Sequence, residues 1–272
     1  TVTANTGIRL ATPNHSAAME VRGTATAPAT LIANSFMTVG DYIGPAGEPG
    51  GIGALTIGNH GTVRMGSGAR IAFGWVEADG TMNLQAGGTL EVGGNDGIFS
   101  HATGTHAFNF AGGTIKVVNS ALTTAMDMVL TGDNPLINTN GLSATFSGPL
   151  SGPAILYKDG VGTLTLSGTN THGGVLVNDG VVTRTVAAAY PNGGQYGVNA
   201  GTLNLGNFPL TVSTLNGGGG TVQLNGQDLT INGSTNCMLF GNIAGGAGAE
   251  LIKQGSSTFT LHGAGSHAGG TT

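Results

Sequence analysis

The sequence predicts an all-β fold, a parallel β-helix with three short strands per coil, on three observations. A five-residue pattern, Gly-Thr-apolar-x-apolar, occurs seven times. Most successive copies are separated by about once or twice a period of roughly 20–25 residues, and such a period is typical of solenoid repeats. Glycine supplies 52 of the 272 residues, whereas charged residues supply only 8%. We therefore expect about 11–13 coils, stacked at the ~4.8 Å spacing of neighbouring strands.

Each copy of the pattern alternates apolar and polar residues, which is the period of a strand with one buried face. We expect Leu164 and Leu166 to point inwards and Thr163 and Thr165 to point outwards. Glycine or Gly-Asn usually follows a copy and predicts a turn. The seven copies are GTVRM from Gly61, GTMNL from Gly80, GTLEV from Gly88, GTIKV from Gly113, GTLTL from Gly162, GTLNL from Gly201 and GTVQL from Gly220.

Other structures compete with this interpretation. A glycine-rich β-sandwich also has short strands every 8–12 residues, but the longer period favours the solenoid. The best helical candidate, Ala121 to Leu130, is expected to form one or two helical turns at most. Residues 1–272 are expected to form one continuous β-helix segment, with residues 40–53 as a protruding loop.

The composition excludes several classes of protein. With eight Lys and Arg and a net charge of −5, the chain lacks the basic patches that a nucleic-acid binder needs. Its apolar stretches fall short of the ~20 residues that span a bilayer. The one cysteine, Cys237, precludes an intramolecular disulfide framework and a zinc site of several thiolates. We expect Cys237 to be a small buried residue, with an intermolecular disulfide as the alternative.

A second, longer repeat has a period of 95 residues. Ile155 to Gly174 reads ILYKDGVGTLTLSGTNTHGG, and residues 250–270 read ELIKQGSSTFTLHGAGSHAGG. The pair resembles the autotransporter-associated β-strand repeat of bacterial surface proteins, whose pattern is approximately L-x-K-x-G-x-G-T-L-x-L-x-G-x-N-x-x-x-G-G. The second copy keeps Lys253, Gly255 and Gly263 but has Ser257 in place of a glycine. The first copy matches at Leu156, Lys158, Gly160, Gly162, Thr163, Leu164, Leu166, Gly168, Asn170, Gly173 and Gly174.

The resemblance implies a right-handed parallel β-helix within a large exported bacterial protein, often the passenger of an autotransporter. In that family the repeat is associated with secretion and with the β-helical stalk, and it is not a catalytic signature. The resemblance therefore implies an extracellular or cell-surface location, and a structural role for the matched residues. No enzyme activity, cofactor or metal is expected.

Candidates for chemistry are sparse. A polysaccharide-cleaving site needs clustered acids, and the best pair is Glu77 with Asp79, whose spacing places both on one strand face. A solvated corner is the simpler interpretation of that pair. Two histidine pairs are each five residues apart, which puts their side chains on opposite faces of a strand, so no metal site is predicted. These pairs are His101 with His106 and His262 with His267.

Three functions follow from these observations. The first is a structural protein, a stalk, surface layer or extracellular fibre, because low charge and unpaired end strands favour self-association or continuation into further coils. The second is an adhesin whose loops, such as 40–53 or 95–107, bind a cell-surface or matrix ligand. The third is a carbohydrate-active enzyme. Since the chain opens at Thr1 without a signal peptide, we expect it to be a segment of a longer chain, and a tandem repeat of this unit is one form that chain could take.

Overall fold

A computed structural model describes residues 1–41, 50–101 and 103–272 of the chain. These residues form β-strands and one turn of 3₁₀ helix at Ala187–Ala189, and their strand ladders are parallel. They fall into two compact units, Thr1–Asn138 with Phe146–Ser151 and Thr139–Thr145 with Gly152–Thr272. The predicted all-β class is confirmed, and its stacked parallel ladders are those of a parallel β-helix.

The strands are short and recur along the whole chain. In the first half they are β1 (Val2–Ala4), β2 (Ile8–Leu10), β3 (Ser16–Val21), β4 (Ala29–Ala33), β5 (Phe36–Val39), β6 (Ile52–Ile57), β7 (Gly61–Met65), β8 (Arg70–Phe73), β9 (Asp79–Gln85), β10 (Thr89–Ser100), β11 (Thr105–Ala111), β12 (Thr114–Thr124), β13 (Met128–Thr131), β14 (Leu136–Asn138), β15 (Ala144–Phe146) and β16 (Leu150–Ser151). In the second half they are β17 (Leu156–Asp159), β18 (Thr163–Leu166), β19 (Gly174–Val177), β20 (Val181–Arg184), β21 (Gly194–Val198), β22 (Thr202–Asn204), β23 (Leu210–Asn216), β24 (Thr221–Gln223), β25 (Leu229–Asn232), β26 (Cys237–Leu239), β27 (Asn242–Ala244), β28 (Leu251–Gln254) and β29 (Phe259–Leu261).

Three parallel ladders run through the first unit. One joins β1, β4, β7, β10 and β12, the second joins β2, β5, β8 and the later part of β10, and the third joins β3, β6, β9, β11, β13 and β16. In the first ladder Leu31 pairs with Val63 and Val63 pairs with Leu90. Successive coils therefore stack apolar residues in register, and each coil contributes three strands.

Two main ladders recur in the second unit. One runs through β17, β19, β21 and β23, and the other runs through β18, β20, β22, β24 and β27. Leu164 pairs with Val182, which pairs with Leu203, which pairs with Val222. These offsets of about 20 residues match the spacing expected of a tight β-solenoid coil. The early part of β23, Leu210–Val212, marks a third strand position. It pairs with β25, which in turn pairs with β28.

The core follows the alternation that the sequence predicts. Leu164 and Leu166 are fully buried, whereas Thr163 and Thr165 lie at the outer face of β18. Burying each leucine contributes about 1.5–3 kcal/mol. In the first unit the column also contains aromatic rings, and Phe108 makes edge contacts with Phe73 and Phe110 at 5.9 and 6.2 Å between centroids.

The helical expectation for Ala121 to Leu130 is wrong. Ala121 lies in β12, and Met128 begins β13. The reason is the period of burial, because every second residue from Leu122 to Leu130 is buried. Such a period of two matches a strand and not a helix.

Asparagine side chains link neighbouring coils at their outer corners. The Nδ2 of Asn199 donates to Oδ1 of Asn178 at 2.9 Å, and the Nδ2 of Asn225 donates to Oδ1 of Asn204 at 2.7 Å. In the first unit Asn34 donates to Asn5 in the same way, at 2.8 Å. Stacked amides add side-chain hydrogen bonds parallel to the backbone ladder and so strengthen the coil register.

Cys237 is a free thiol and is buried on β26, as the simpler interpretation predicts. No helix among residues 1–41, 50–101 and 103–272 has the length and apolarity needed to cross a bilayer.

Candidate functional site

The repeat motif places a fully buried lysine at a corner of its coil. Lys158 lies on β17 and is 0% exposed. Its Nζ donates to three backbone carbonyls, those of Asp159 at 3.0 Å, Gly160 at 2.6 Å and Asp179 at 3.1 Å. An ammonium has three N–H donors and no acceptor, so every proton of Lys158 has a partner. Because the third carbonyl belongs to the next coil, the lysine joins two coils.

Burial and charge act on this lysine in opposite directions. Burial lowers the pKa of Lys158 to about 8, while the carboxylates of Asp179 and Asp159 raise it. Lys158 therefore keeps its charge at neutral pH. Each carboxylate in turn accepts from the backbone N–H of the following glycine, Gly180 at 2.7 Å and Gly160 at 2.8 Å. The two corners are thus equivalent Asp-Gly turns on adjacent coils.

A threonine on the preceding coil binds the same corner. The Thr139 hydroxyl lies 3.0 Å from the carbonyls of Gly160 and Val161. Its side chain is fully buried although it is polar. No sequence pattern marks Thr139 for this role, because its partners are backbone atoms about twenty residues away.

The motif glycines lie where a side chain does not fit. Gly162 has a φ of +118°, and a Cβ there would lie 1.9 Å from the carbonyl oxygen of Leu142. Gly174 has a φ of +131°, and its Cβ would lie 1.8 Å from the carbonyl oxygen of Gln195. At Gly173 the φ is ordinary, but a Cβ would lie 2.4 Å from the carbonyl oxygen of Pro153. Glycine at these positions allows neighbouring coils to approach closely.

Two polar residues of the first copy are also buried. The Nδ2 of Asn170 donates to the carbonyl of Ala189 on the next coil at 2.8 Å. His172 accepts from the N–H of Gly174 through Nδ1 at 3.2 Å, and its Nε2 is buried with no hydrogen-bond partner among the described residues. Burial lowers the pKa of His172 to about 4, so the ring is neutral at neutral pH.

The second copy repeats the corner in a more open form. The Nζ of Lys253 contacts the carbonyls of Gln254 and Gly255, the latter at 3.4 Å, and this lysine is half-buried. Gly255 has a φ of +70°, like Gly160 at +73°. A Cβ on Gly263 would lie 2.0 Å from the carbonyl oxygen of Gly241. The corner geometry therefore recurs after 95 residues.

The next coil contains a buried arginine, Arg184, that no sequence motif had indicated. Arg184 is buried, and its Nε donates to Leu205 O at 2.9 Å. Its Nη2 donates to Phe208 O at 2.6 Å and to Pro209 O at 2.9 Å, while the guanidinium lies 4.7 Å from the Tyr190 ring centroid. Burial lowers the pKa of Arg184, as it does for the lysine.

The candidate catalytic pair does not lie on one strand. Asp79 begins β9, whereas Glu77 lies in the preceding turn with a φ of +55°. Both are exposed, and Asp79 accepts a hydrogen bond from the Thr105 hydroxyl. The prediction that the two share a strand face is wrong, because the strand starts after the turn.

The histidine pairs are separated in the structure. His106 contacts Asp127, and His101 lies 5.0 Å from the Trp75 ring. His262 stacks on Phe240 at 4.5 Å, and His267 contacts Thr271. Within the described parts of the chain, no three His, Cys, Asp or Glu residues form a group that could hold a metal.

The second candidate loop, residues 95–107, differs from expectation. Most of residues 95–107 is strand, since β10 extends to Ser100 and β11 begins at Thr105. Of the loop 40–53, residues 42–49 lie outside the described residues, and β6 already begins at Ile52.

Comparison with known proteins identifies the repeat. The family model of the passenger-associated-transport-repeat matches residues 156–183 and 251–272, which contain the two lysine corners. A 48-residue stretch is 50% identical to the adhesin BmaC autotransporter of Brucella suis biovar 1 (strain 1330). That stretch covers 18% of this chain and 1% of the relative. No solved structure matches the chain. The chain thus carries the autotransporter passenger-associated repeat, and the resemblance inferred from its sequence is confirmed.

Proposed function

We propose that this chain is a segment of an exported, cell-surface passenger whose β-helix is a non-catalytic scaffold for adhesion. The observation that carries the proposal is the lysine corner that lies within both family matches and is fully buried in the first. The ammonium of Lys158 makes all its hydrogen bonds to backbone carbonyls of its own and the next coil. The matched residues therefore build the scaffold, and ligand contacts fall to the outward faces of the coils. The relative's name, an adhesin autotransporter, supports the adhesive role.

Surface display is tested on the cells that produce the protein. Antibodies against residues 1–272 should label intact cells, and external protease should remove the label. Labelling only after permeabilisation would refute export to the surface. A periplasmic marker protein, which should resist the same protease, controls for leaky cells.

Adhesion is tested by removing this segment from the full-length protein. Attachment of the cells to host cells or matrix should fall while an epitope elsewhere in the passenger stays on the surface. Unchanged attachment with normal display would exclude an adhesive role for the segment. Glu77→Gln with Asp79→Asn, made in the intact protein, should leave both display and attachment unchanged if these acids only solvate a corner.

A fibre-forming role is a second proposal, supported by one exposed apolar patch. Phe240 is 54% exposed and Met238 is 42% exposed, two residues apart along the outer face of the second unit. Self-association would cover them. Negative-stain electron microscopy of the purified chain at physiological salt should then show filaments of uniform width. Phe240→Ser should shorten them, and isolated particles for the unaltered chain would exclude the fibre.

A further inference from the structure

A recess opens on the outer face of the ladder formed by β2, β5, β8 and β10. Met37 and Ile71 are core residues, and side chains alternate along a strand, so their neighbours Thr38 and Ala72 face outwards. Thr38 and Ala72 pair across the ladder, and they are only 6% and 2% exposed. Two small outward residues therefore form the floor of a covered hollow.

Larger side chains form the walls of the recess. Arg9 pairs with Thr38, and Phe99 pairs with Ala72, so a long side chain flanks the floor on either side along the ladder. Trp75 completes the lining. The hollow has a volume of about 350 Å³. This falls at the lower end of the ~300–1,000 Å³ of small-molecule sites.

The polar groups of the floor are used within the protein. The Thr38 hydroxyl donates to Oδ2 of Asp41 at 3.0 Å. Asp41 is 1% exposed, so its carboxylate lies beneath the surface of the recess and out of reach of a ligand. The surface that a ligand can touch is therefore almost wholly apolar. An apolar hollow offers water few hydrogen bonds and is suited to an apolar group.

The charges around the recess are balanced. Arg9 lies 3.0 Å from the carboxylate of Asp41, and Arg70 lies 3.7 Å from that of Asp96. Each guanidinium thus has a carboxylate beside it, and no net charge attracts an ion of either sign. An ion that entered would also lose its water without gaining hydrogen bonds from the lining. The recess is therefore suited to an uncharged group.

The walls favour an aromatic ring over an aliphatic chain. Trp75 meets Phe99 edge-on at 5.9 Å, and the guanidinium groups of Arg70 and Arg9 lie over the Phe99 and Phe36 rings at 4.1 and 5.0 Å. Rings attract one another, and attract guanidinium groups, beyond what their buried area supplies. An apolar cavity of about 150 Å³ accepts benzene, so this larger hollow has room for a phenyl, phenol or indole group.

The turn that carries Trp75 is held in an unusual conformation. The Trp75 N–H donates to the Gly40 carbonyl at 3.0 Å, and the indole also lies 5.0 Å from the His101 ring. The two residues that follow, Val76 and Glu77, have φ values of +44° and +55°. A β-branched residue with positive φ is a backbone outlier, and such strain is concentrated at ligand sites. The indole is thereby fixed at the edge of the recess.

We infer that this recess takes up the uncharged aromatic side chain of a partner protein. An aromatic residue inserted into an apolar pocket is a typical anchor of a protein interface. The recess lies on an outward sheet face, where such a side chain can enter. The inference rests on the proposed adhesive function, for which it names the kind of partner residue.

The chain contains one tryptophan, so its fluorescence reports on this recess directly. Purified protein is titrated with acetylphenylalaninamide, which carries a phenyl side chain on a blocked backbone. The Trp75 emission should change saturably, with a millimolar dissociation constant. Acetylleucinamide, which has an aliphatic side chain, should bind severalfold more weakly. The blocked amides of 4-carboxyphenylalanine and 4-aminomethylphenylalanine, which add a charge to the same ring, should also bind severalfold more weakly.

Benzyl alcohol distinguishes a free aromatic molecule from a side chain. It presents the same ring without a peptide backbone, and it should bind no more tightly than acetylphenylalaninamide. Saturable binding of benzyl alcohol without binding of acetylphenylalaninamide would show that the recess admits free rings only, and would overturn the inference.

Two variants localise the binding. Ala72→Leu fills the floor of the recess and should weaken acetylphenylalaninamide about tenfold. Ala107→Leu makes the same change at an exposed alanine of β11 and should leave the affinity unaltered. Trp75→Ala removes a wall without crowding the floor and should weaken binding severalfold by calorimetry. Thermal unfolding checks that each variant is folded.

Several results would overturn the aromatic site. These are no saturable response to acetylphenylalaninamide, equal or tighter binding of the leucine or charged-ring probes, and unaltered affinity in the folded Ala72→Leu or Trp75→Ala protein. Trp75→Ala decides the matter if Ala72→Leu does not fold.

Cell attachment separates this inference from the proposed function. Ala72→Leu in the full-length protein should lower attachment while surface display stays normal, and Ala107→Leu should not. If removal of residues 1–272 lowered attachment but Ala72→Leu did not, the aromatic docking site would fail and the adhesive function would stand. If removal of the segment left attachment unchanged while acetylphenylalaninamide bound, the adhesive function would fail and the recess would still be a site for an aromatic side chain.

Discussion

The ammonium of Lys158 donates to the carbonyl of Asp179, which lies 21 residues further along the chain at the corner of the next coil. A charged group is thus buried between two coils with only backbone oxygens around it and two carboxylates nearby. Removal of one member of a buried charge network typically costs about 3–5 kcal/mol. The second unit should therefore be sensitive to a single substitution at this corner.

Lys158→Met should lower the free energy of unfolding by about 3–5 kcal/mol, since it removes three hydrogen bonds and the buried cation near Asp159 and Asp179. Lys253→Met is the matched control, because Lys253 occupies the same place in the more open corner, and should cost about 1 kcal/mol. Denaturant unfolding of both variants measures the difference. Equal losses would show that burial of the corner is not what makes Lys158 important.

Gly174→Ala should destabilise the chain far more than Gly193→Ala, although both glycines have positive φ. The methyl group at Gly174 would meet the Gln195 carbonyl at 1.8 Å, while nothing lies within 4 Å of the equivalent position at Gly193. The second variant should therefore cost only the ~1 kcal/mol of backbone strain. Unfolding curves of the two variants test this, and similar losses would mean that coil spacing adjusts freely.

Stability should fall as the pH is lowered from about 6.5 to 4. His172 has a pKa of about 4 when folded against 6.5 as its ordinary value, so the unfolded chain binds more protons in that interval. The stabilisation is complete above pH 6.5 and lost progressively below it, by about 3 kcal/mol in total. His172→Gln should flatten this part of the stability profile. His262→Gln, which changes an exposed ring, should leave the profile unaltered.

Arg184→Lys should destabilise the protein almost as much as complete removal of the Arg184 side chain. The guanidinium of Arg184 donates to the carbonyls of four residues, and a lysine ammonium cannot span them. These residues are Ala187, Leu205, Phe208 and Pro209. We expect a loss of about 2–4 kcal/mol in the free energy of unfolding. Arg22→Lys, at an exposed arginine, should change it by less than about 0.5 kcal/mol. A mild effect of Arg184→Lys would show that the positive charge contributes more to stability than the planar geometry of the guanidinium.

The strands were largely predictable because their signal is local. The copy from Gly61 coincides with β7, and the copy from Gly80 lies within β9, since both the alternation and the turn residue lie within a few positions. The polar contacts of the corners were not predictable in the same way. Lys158 could be identified as a repeat residue, but its acceptors are main-chain atoms that any residue type supplies.

The outer face of the ladder formed by β2, β5, β8 and β10 illustrates a second limit. Arg9, Thr38, Ala72 and Phe99 are brought together by register alone, at offsets of 29, 34 and 27 residues. These offsets differ because coil lengths vary in the first unit. No fixed period of the sequence relates the four residues, so their proximity follows only from the three-dimensional pairing.

In the second unit, four buried polar side chains donate hydrogen bonds in the same direction along the chain. Thr139, Lys158, Asn170 and Arg184 each donate to carbonyls of the coil that follows their own. A coil at the growing end of a partly folded chain thus presents unsatisfied donors, and the next coil supplies their acceptors. Folding that starts from the amino-terminal side would therefore add coils one at a time, because each folded coil exposes the side-chain donors that bind the carbonyls of the next coil.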